Sequence, residues 1–231
     1  MSIPNKLSEV FVVIPSYNEQ AIIRTVIEGI LPFGYSVVVI DDGSENSLED
    51  ELNGLPVYLL RHPVNLGQGA ALQTGIDFAL SQNAGWIVSF DADGQHHPED
   101  IQKLLEPLFE DKADIALGSR FLEGSIHNMP QKRKFLLQLG RRLNYLFTGV
   151  FLSDAHNGLR AMNKKSASNI RIRENRMAHA TEILAEIRRN RLRYIEVPVR
   201  VTYSDYSRGK GQALGSSFRI VFDLLLNKIF K

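Results

Sequence analysis

Asp91-Ala92-Asp93 sets two carboxylates one residue apart at the end of the apolar run Trp86–Phe90. On an extended backbone, positions i and i+2 point the same way, so both carboxylates can face one spot. Gly94 and the oxygen of Gln95 follow, and together these groups suit a hard divalent cation. Mg2+ or Mn2+ prefers oxygen ligands and is commonly shared with the phosphates of a substrate. The same residues also suit an Asp-rich turn. His96 and His97 come next, but the chain has no cysteine and no spaced histidine partner that would complete a zinc pattern. A surface position at a helix start, or one just outside the cation's ligands, fits His96 better.

Two further apolar runs open into polar residues. Phe11–Ile14 leads into Pro15-Ser16-Tyr17-Asn18-Glu19, and Val37–Ile40 into Asp41-Asp42-Gly43-Ser44. Asn65-Leu66-Gly67-Gln68-Gly69-Ala70 opens a helical pattern with glycines, which permits close approach of the backbone to a ligand. Its spacing is neither a Walker loop nor a dinucleotide fingerprint. With these clusters beside it, the cation reading of Asp91 and Asp93 is favoured over the turn.

The elements that must position these residues alternate between two periods. Val10–Ile14, Ser36–Ile40, Val57–Leu60, Trp86–Phe90 and Ile115–Gly118 read as strands. Gln20–Ile30, Gln68–Ser81 and Pro98–Glu110 read as helices between them, the last with Pro98 suited to a first turn. This alternation predicts an α/β fold with an open, Rossmann-like, mostly parallel sheet and helices on both faces. Ligands of such sheets bind beyond the carboxyl ends of the strands, where all three polar clusters fall. Farther on, Gln131–Leu152 reads as amphipathic helix and Asn157–Asn163 as a turn into a short strand. Met177–Asn190 reads as helix, Tyr194–Val201 as strand, Ser204–Gly211 as a loop and Ser216–Phe230 as an amphipathic terminal helix.

Composition narrows the function classes. Apolar residues make up 44% and charged residues 23%, a balance that predicts a folded chain rather than disorder. The formal charge of +1 hides acidic stretches at Glu45–Glu51 and Asp91–Asp114 and a basic second half, which predicts an anionic partner there. Without cysteine there is no disulfide, thiolate site or cysteine nucleophile, in keeping with a cytoplasmic location. No apolar run reaches the roughly 18–20 residues of a membrane span, so a soluble or peripheral protein is expected.

Pro15–Glu19, Val39–Ser44, Asn65–Gly69, Asp91–His96 and Gly118-Ser119-Arg120-Phe121, in this order, resemble family 2 glycosyltransferases of the GT-A fold, in particular the dolichyl- or polyprenyl-phosphate sugar synthase branch. The resemblance spans about residues 9–210. It implies one glycosyltransferase domain over 1–231, with a nucleotide-sugar half to about 120 and an acceptor half with C-terminal helices beyond it. Pro15, Tyr17, Asn18 and Glu19 would cradle the nucleoside, with Asp42 on the base or ribose and Asp91 and Ala92 beside the ribose and diphosphate. Asp93 would be the main ligand of Mg2+ or Mn2+, helped by Gln95, and Arg120 would meet the acceptor's phosphate. Asp154–Ala161 is similar to the family's Asp-x-x-Ser-Gly-Phe-Arg segment, with Asn157 and Leu159 substituted. Glu182 matches an acidic residue on the helix before Glu196-Val197-Pro198-Val199, and is equally a solvated helix carboxylate. Arg208, in Tyr206-Ser207-Arg208-Gly209-Lys210-Gly211, would add charge to a leaving diphosphate, with Lys210 weaker in that role.

The reading is thus an inverting enzyme that moves a hexose from a GDP- or UDP-sugar to polyprenyl phosphate, with Lys132–Arg142 and Arg120 holding the lipid phosphate. The alternative acceptor is a hydroxyl of a cell-surface or lipid-linked glycan, which would need a base such as Glu182. A sugar-1-phosphate nucleotidyltransferase would need a Gly-rich, basic loop after the first strand, and Pro15–Glu19 has neither Gly nor Lys or Arg. No nucleic acid partner is expected. Apolar stripes at Phe135–Phe147 and Phe218–Ile229, with basic flanks, suit either peripheral contact with the cytoplasmic face of a membrane or packing on the protein itself.

Overall fold

The computed structural model describes residues 7–127, 145–146, 148–176 and 178–203. The expected helices at Gln131–Leu152 and Ser216–Phe230, the loop with Arg208 and Lys210, and the basic stretch Lys132–Arg142 lie wholly or largely outside them.

Nine strands are described: β1 (Val10–Ser16), β2 (Ser36–Asp41), β3 (Val57–Arg61), β4 (Trp86–Ser89), β5 (Ile115–Ser119), β6 (Ile126–His127), β7 (Arg160–Asn163), β8 (Tyr194–Pro198) and β9 (Arg200–Val201). Seven form one sheet in the order β3-β2-β1-β4-β7-β5-β8, while β6 pairs with β9. Six of the seven run parallel, and β7 alone lies antiparallel, between β4 and β5.

Both faces of the sheet are covered, which is why its strands read as continuous apolar runs rather than alternating ones. Val10, Val12 and Ile14 of β1 pack with Ile23, Ile27 and Ile30 of α1 (Ile23–Ile30), Leu52 of α2 (Glu49–Leu52) and Leu104 and Leu108 of α4 (Asp100–Phe109). Phe11 and Val13 face the other layer, with Leu72 and Ile76 of α3 (Gln68–Ser81), Ala167 of α5 (Lys164–Asn169) and Ile183 and Ile187 of α6 (His179–Arg189).

The α/β architecture matches the expectation, with three local differences. The first helix starts at Ile23 rather than Gln20, because the Glu19 carbonyl accepts from the N–H groups of both Ile22 and Ile23 and turns the chain there. The single strand expected over Tyr194–Val201 is two, broken at Val199, whose N–H turns to the Ser119 carbonyl as the chain changes partner from β5 to β6. The short strand expected after Asn157 becomes β7, and it inserts antiparallel in the middle of the sheet. That insertion carries residues 154–160 up to the end of β4.

Candidate active site

The loops after β1 and β2 are laced into one rim. Asp42 N–H donates to the Ser16 carbonyl at 2.8 Å, Asn18 N–H to Ser44 Oγ at 2.9 Å, and Glu45 N–H to Asn18 Oδ1 at 3.0 Å. Asn18 adopts a left-handed backbone, φ 55°, which asparagine tolerates better than most residues. Tyr17 is left 45% exposed at the edge of this rim, a ring free to meet a flat ligand. Asp42 has a different position from the one expected for a ligand contact. It is buried, and its two oxygens accept from Leu66 N–H, Gly67 N–H and His62 Nδ1 at 2.7–3.0 Å. Its carboxylate therefore shapes the turn before α3.

At the end of β4 the alternation of side chains separates three neighbours. Ala92 is buried in the core layer of α1 and α4, so its backbone alone is open to a ligand. Asp91 accepts from Gln68 Nε2 at 3.1 Å and lies 3.2 Å from His96 Nε2. Burial pushes its carboxyl up, but His96, Arg160 and His179 outweigh this and hold it below the usual carboxylate range. The carboxylate also rests on the backbone of Gly158: a Cβ there would fall 2.1 Å from Asp91 Oδ2.

Asp93 is placed in the opposite electrostatic state. Burial and the charge of Asp91 push its carboxyl up to about 6, against the hydrogen bond from Gln95 N–H at 3.0 Å. The Gln95 carboxamide closes on the second Asp93 oxygen. Two acidic groups in one place, one of them with its proton affinity raised by the other, are a donor set short of positive charge. Among the described residues no cluster of three or more His, Cys, Asp or Glu side chains could hold an ion by itself. Asp93 and Gln95 therefore fit a cation that takes its other oxygens from water and a substrate's phosphates, as Mg2+ and Mn2+ do.

The glycine-rich start of α3 is closed by the protein's own backbone. Gly69 N–H donates to the Asn175 carbonyl at 2.8 Å and Ala70 N–H to the same oxygen at 3.4 Å. A Cβ at Gly69 would lie 2.0 Å from the Glu174 carbonyl, so the close approach that glycine permits is to residues 174–175. Glu182, expected as an alternative base, anchors the same segment: its Oε2 accepts from Arg173 and Glu174 N–H, both at 2.8 Å. His179 lies under this seat, where burial and the Arg160 charge push its imidazole down to about 4. The folded protein thus keeps His179 neutral, whereas the unfolded chain protonates it near pH 6.5. Stability is then complete above about pH 6.5 and falls as the pH drops towards 4. His179→Asn keeps a donor for the Arg176 carbonyl and is expected to flatten that part of a melting-temperature profile; an unchanged slope would contradict the assignment.

Arg120, expected on the acceptor's phosphate, is buried and engaged. Its Nε and Nη2 donate to the two oxygens of Asp154 at 2.6 and 2.7 Å, and its Nη1 donates to Tyr203 Oη at 2.9 Å. The Asp154 segment is fixed in turn by Glu196, which accepts from Ser153 N–H, Ser153 Oγ and Asp154 N–H. The Asp154 segment and Arg120 stand out in the sequence separately, but nothing in it marks them as a pair or Glu196 as their organiser, because both contacts depend on β7 being threaded between β4 and β5.

A twisted α/β sheet with one antiparallel strand beside an Asp-x-Asp turn defines a glycosyltransferase of the GT-A type. The chain belongs to glycosyl transferase family 2, whose model matches residues 11–171. Among its relatives is an uncharacterized protein of Methanocaldococcus jannaschii, 34% identical over 96% of this chain and 93% of the relative. A UDP-N-acetylglucosamine–dolichyl-phosphate N-acetylglucosaminyltransferase of Methanococcus voltae is 31% identical over 96% and 97%. A polyprenol monophosphomannose synthase of Mycolicibacterium smegmatis is 28% identical over 90% and 82%. The fold matches glucosyl-3-phosphoglycerate synthase from Mycobacterium tuberculosis, solved with Mn2+ and uridine diphosphate, at a TM-score of 0.71 and 20% identity over 94% of this chain and 78% of that one. No helix among the described residues is long and apolar enough to cross a membrane.

Proposed function

We propose that the protein transfers a sugar from a nucleoside-diphosphate sugar to a polyprenyl phosphate. The observation that carries the reading is the Asp91–Asp93 turn at the end of β4, with one carboxyl held ionised and the other pushed up to about 6, in a chain whose near-full-length relatives bear the names of lipid-phosphate sugar transferases. Asp93 and Gln95 would hold Mg2+ or Mn2+, which when bound supplies positive charge to the donor's diphosphate.

The chain's own residues do the rest. The rim of Pro15, Tyr17, Asn18 and Glu19 receives the nucleoside, Tyr17 offering the exposed ring. Asp42 acts at one remove, by fixing the turn at Leu66 and Gly67. Ionised Asp91 and the backbone of Ala92 face the ribose and diphosphate. An oxygen of the acceptor's phosphate attacks the anomeric carbon, the bond from that carbon to the β-phosphate oxygen breaks, and the nucleoside diphosphate leaves with the electron pair. The configuration inverts. No base is required, because the attacking oxygen is already anionic at neutral pH, and this leaves Glu182 with its structural duty. Arg208 remains a proposed contact of the leaving diphosphate.

Asp91 must be aimed as well as charged. Gly158→Ala would drive a methyl group against its carboxylate. It is expected to lower kcat on the order of a hundredfold, the cost of misplacing a contact by an ångström, with the donor's KM rising too; wild-type kinetics would refute the packing argument. The reading itself is tested by incubating the protein with Mn2+, a panel of UDP-N-acetylglucosamine, UDP-glucose and GDP-mannose, and a short-chain polyprenyl phosphate. Sugar is expected in the lipid fraction only when cation is present. Donor binding with no transfer to lipid would move the acceptor to a glycan hydroxyl.

A further inference from the structure

Arg160 opens β7, opposite Ser89 of β4 and Leu117 of β5, and is only 4% exposed. Its position along the strand puts it on the same face as Met162, the face of α3 and α6. A guanidinium carries N–H donors in a fixed fork and no acceptor, so burying one calls for oxygens around it. Among the described residues none is within hydrogen-bonding or ion-pair distance of the Arg160 side chain. The two carboxylates whose charges reach it are already engaged, Asp91 by Gln68 and His96 and Asp154 by Arg120. The nearby His179 offers no negative charge, and the Arg160 charge is one of the causes that push its imidazole down.

A largely buried guanidinium without hydrogen-bond acceptors is costly to the fold, even with the charges of Asp91 and Asp154 in its favour. The fold has a cheaper alternative at hand, since a neutral side chain of similar size would need no partner. Arg120 shows how the same fold treats a structural arginine: with a carboxylate across Nε and Nη2 and a hydroxyl on the third nitrogen. Arg160 has the burial without such partners, and it lies within reach of the charges of both Asp91 and Asp154.

We propose that Arg160 is a phosphate-binding residue, whose forked N–H groups take oxygens of a substrate phosphate next to Asp91. Arg–phosphate pairing is charge-assisted and often bidentate, and it supplies the acceptors that the protein withholds. Burial pushes the guanidinium down only to about 10, so it is charged at neutral pH. Two sources present the same chemistry: the diphosphate of the donor and the phosphate of the lipid acceptor.

This inference rests on the proposed transfer reaction, and the experiment separates the two. Wild-type protein is first measured for UDP and GDP affinity with Mn2+ and for transfer to short-chain polyprenyl phosphate; if neither is found, the transfer reading fails before any variant is read. Arg160→Gln is then expected to weaken one phosphate-bearing ligand by roughly tenfold to a hundredfold, the range for hydrogen bonds to a charged group. A rise in nucleoside diphosphate Kd identifies the donor's phosphates, and a rise in acceptor KM at unchanged nucleotide Kd identifies the lipid's. The melting temperature is read alongside, because the charge removed is also one of those that hold Asp91 ionised. Arg160→Lys, which keeps the charge and loses the fork, should fold as wild type and show a smaller loss of the same ligand. Unchanged nucleotide Kd and acceptor KM in either folded variant overturns the proposal. A lower melting temperature with both constants intact does so too, making Arg160 a distant counter-charge to Asp91.

Discussion

Asp93→Asn is expected to remove cation-dependent turnover, by on the order of a thousandfold in kcat, and to leave the fold intact. The amide matches the carboxyl in shape and its oxygen can still accept from the Gln95 N–H, while a flip of the Gln95 carboxamide restores the second contact, so the turn at 93–95 is kept. It removes the anionic oxygens that a hard cation requires. The expected effect on stability has the opposite sign to that on activity. A carboxyl pushed up to about 6 binds its proton more tightly in the folded protein than in the unfolded chain, where its pKa is near 3.9. Its favourable contribution is therefore present at low pH and lost as the pH rises through about 6. At pH 7 the variant should melt at or above the wild-type temperature, and a fully active variant would sink the cation assignment. The stability comparison matters because it separates loss of a ligand from loss of structure.

Asp154→Asn should act almost entirely through the fold. Arg120 and Asp154 are both buried, with side chains 8% and 1% exposed, and two short charge-assisted hydrogen bonds join them. Burial alone would push the Asp154 carboxyl up, but the charge and hydrogen bonds of Arg120 outweigh it and hold it well below the usual range. Removing one partner leaves the other charge buried and unpaired, which costs about 3–5 kcal/mol, a large part of the stability of an ordinary domain. Replacing both residues with apolar ones of similar volume should recover much of that loss. Denaturant unfolding of the single and double variants measures it. If Asp154→Asn melted like wild type while acceptor KM rose sharply, Arg120 would be a ligand contact as its sequence position suggested, rather than a strut between the 120 and 154 segments.

How much of this was legible from the sequence depends on how local each feature is. The strands β1 to β5 and the helix of Gln68–Ser81 follow from apolar runs and turn residues that sit next to one another in the chain. The edge on which Pro15–Glu19, Asp41–Ser44 and Asp91–Gln95 gather follows from strand direction alone. Properties set by distant partners were not legible. Asp42 is an ordinary strand-end carboxylate until the turn at Leu66 and Gly67 folds back on it. Gly67 and Gly69 advertise close approach by something, and the structure supplies the Asn175 carbonyl. Glu182 reads as a helix carboxylate, and the backbone it holds is eight and nine residues earlier in an irregular segment. The antiparallel β7 is four residues long and has no periodicity to distinguish its direction, yet it brings Gly158 under Asp91 and buries Arg160.

The most direct test of the central claim is the chemical identity of the product. Lipid recovered after incubation with donor, Mn2+ and short-chain polyprenyl phosphate would be examined by phosphorus NMR and by mass spectrometry before and after mild acid. The account predicts a phosphodiester joining the anomeric carbon to the lipid phosphate, of configuration opposite to the donor's, and none of it with Asp93→Asn. A lipid phosphate that stays a monoester, while the sugar appears on a hydroxyl or the donor is merely hydrolysed, would contradict it.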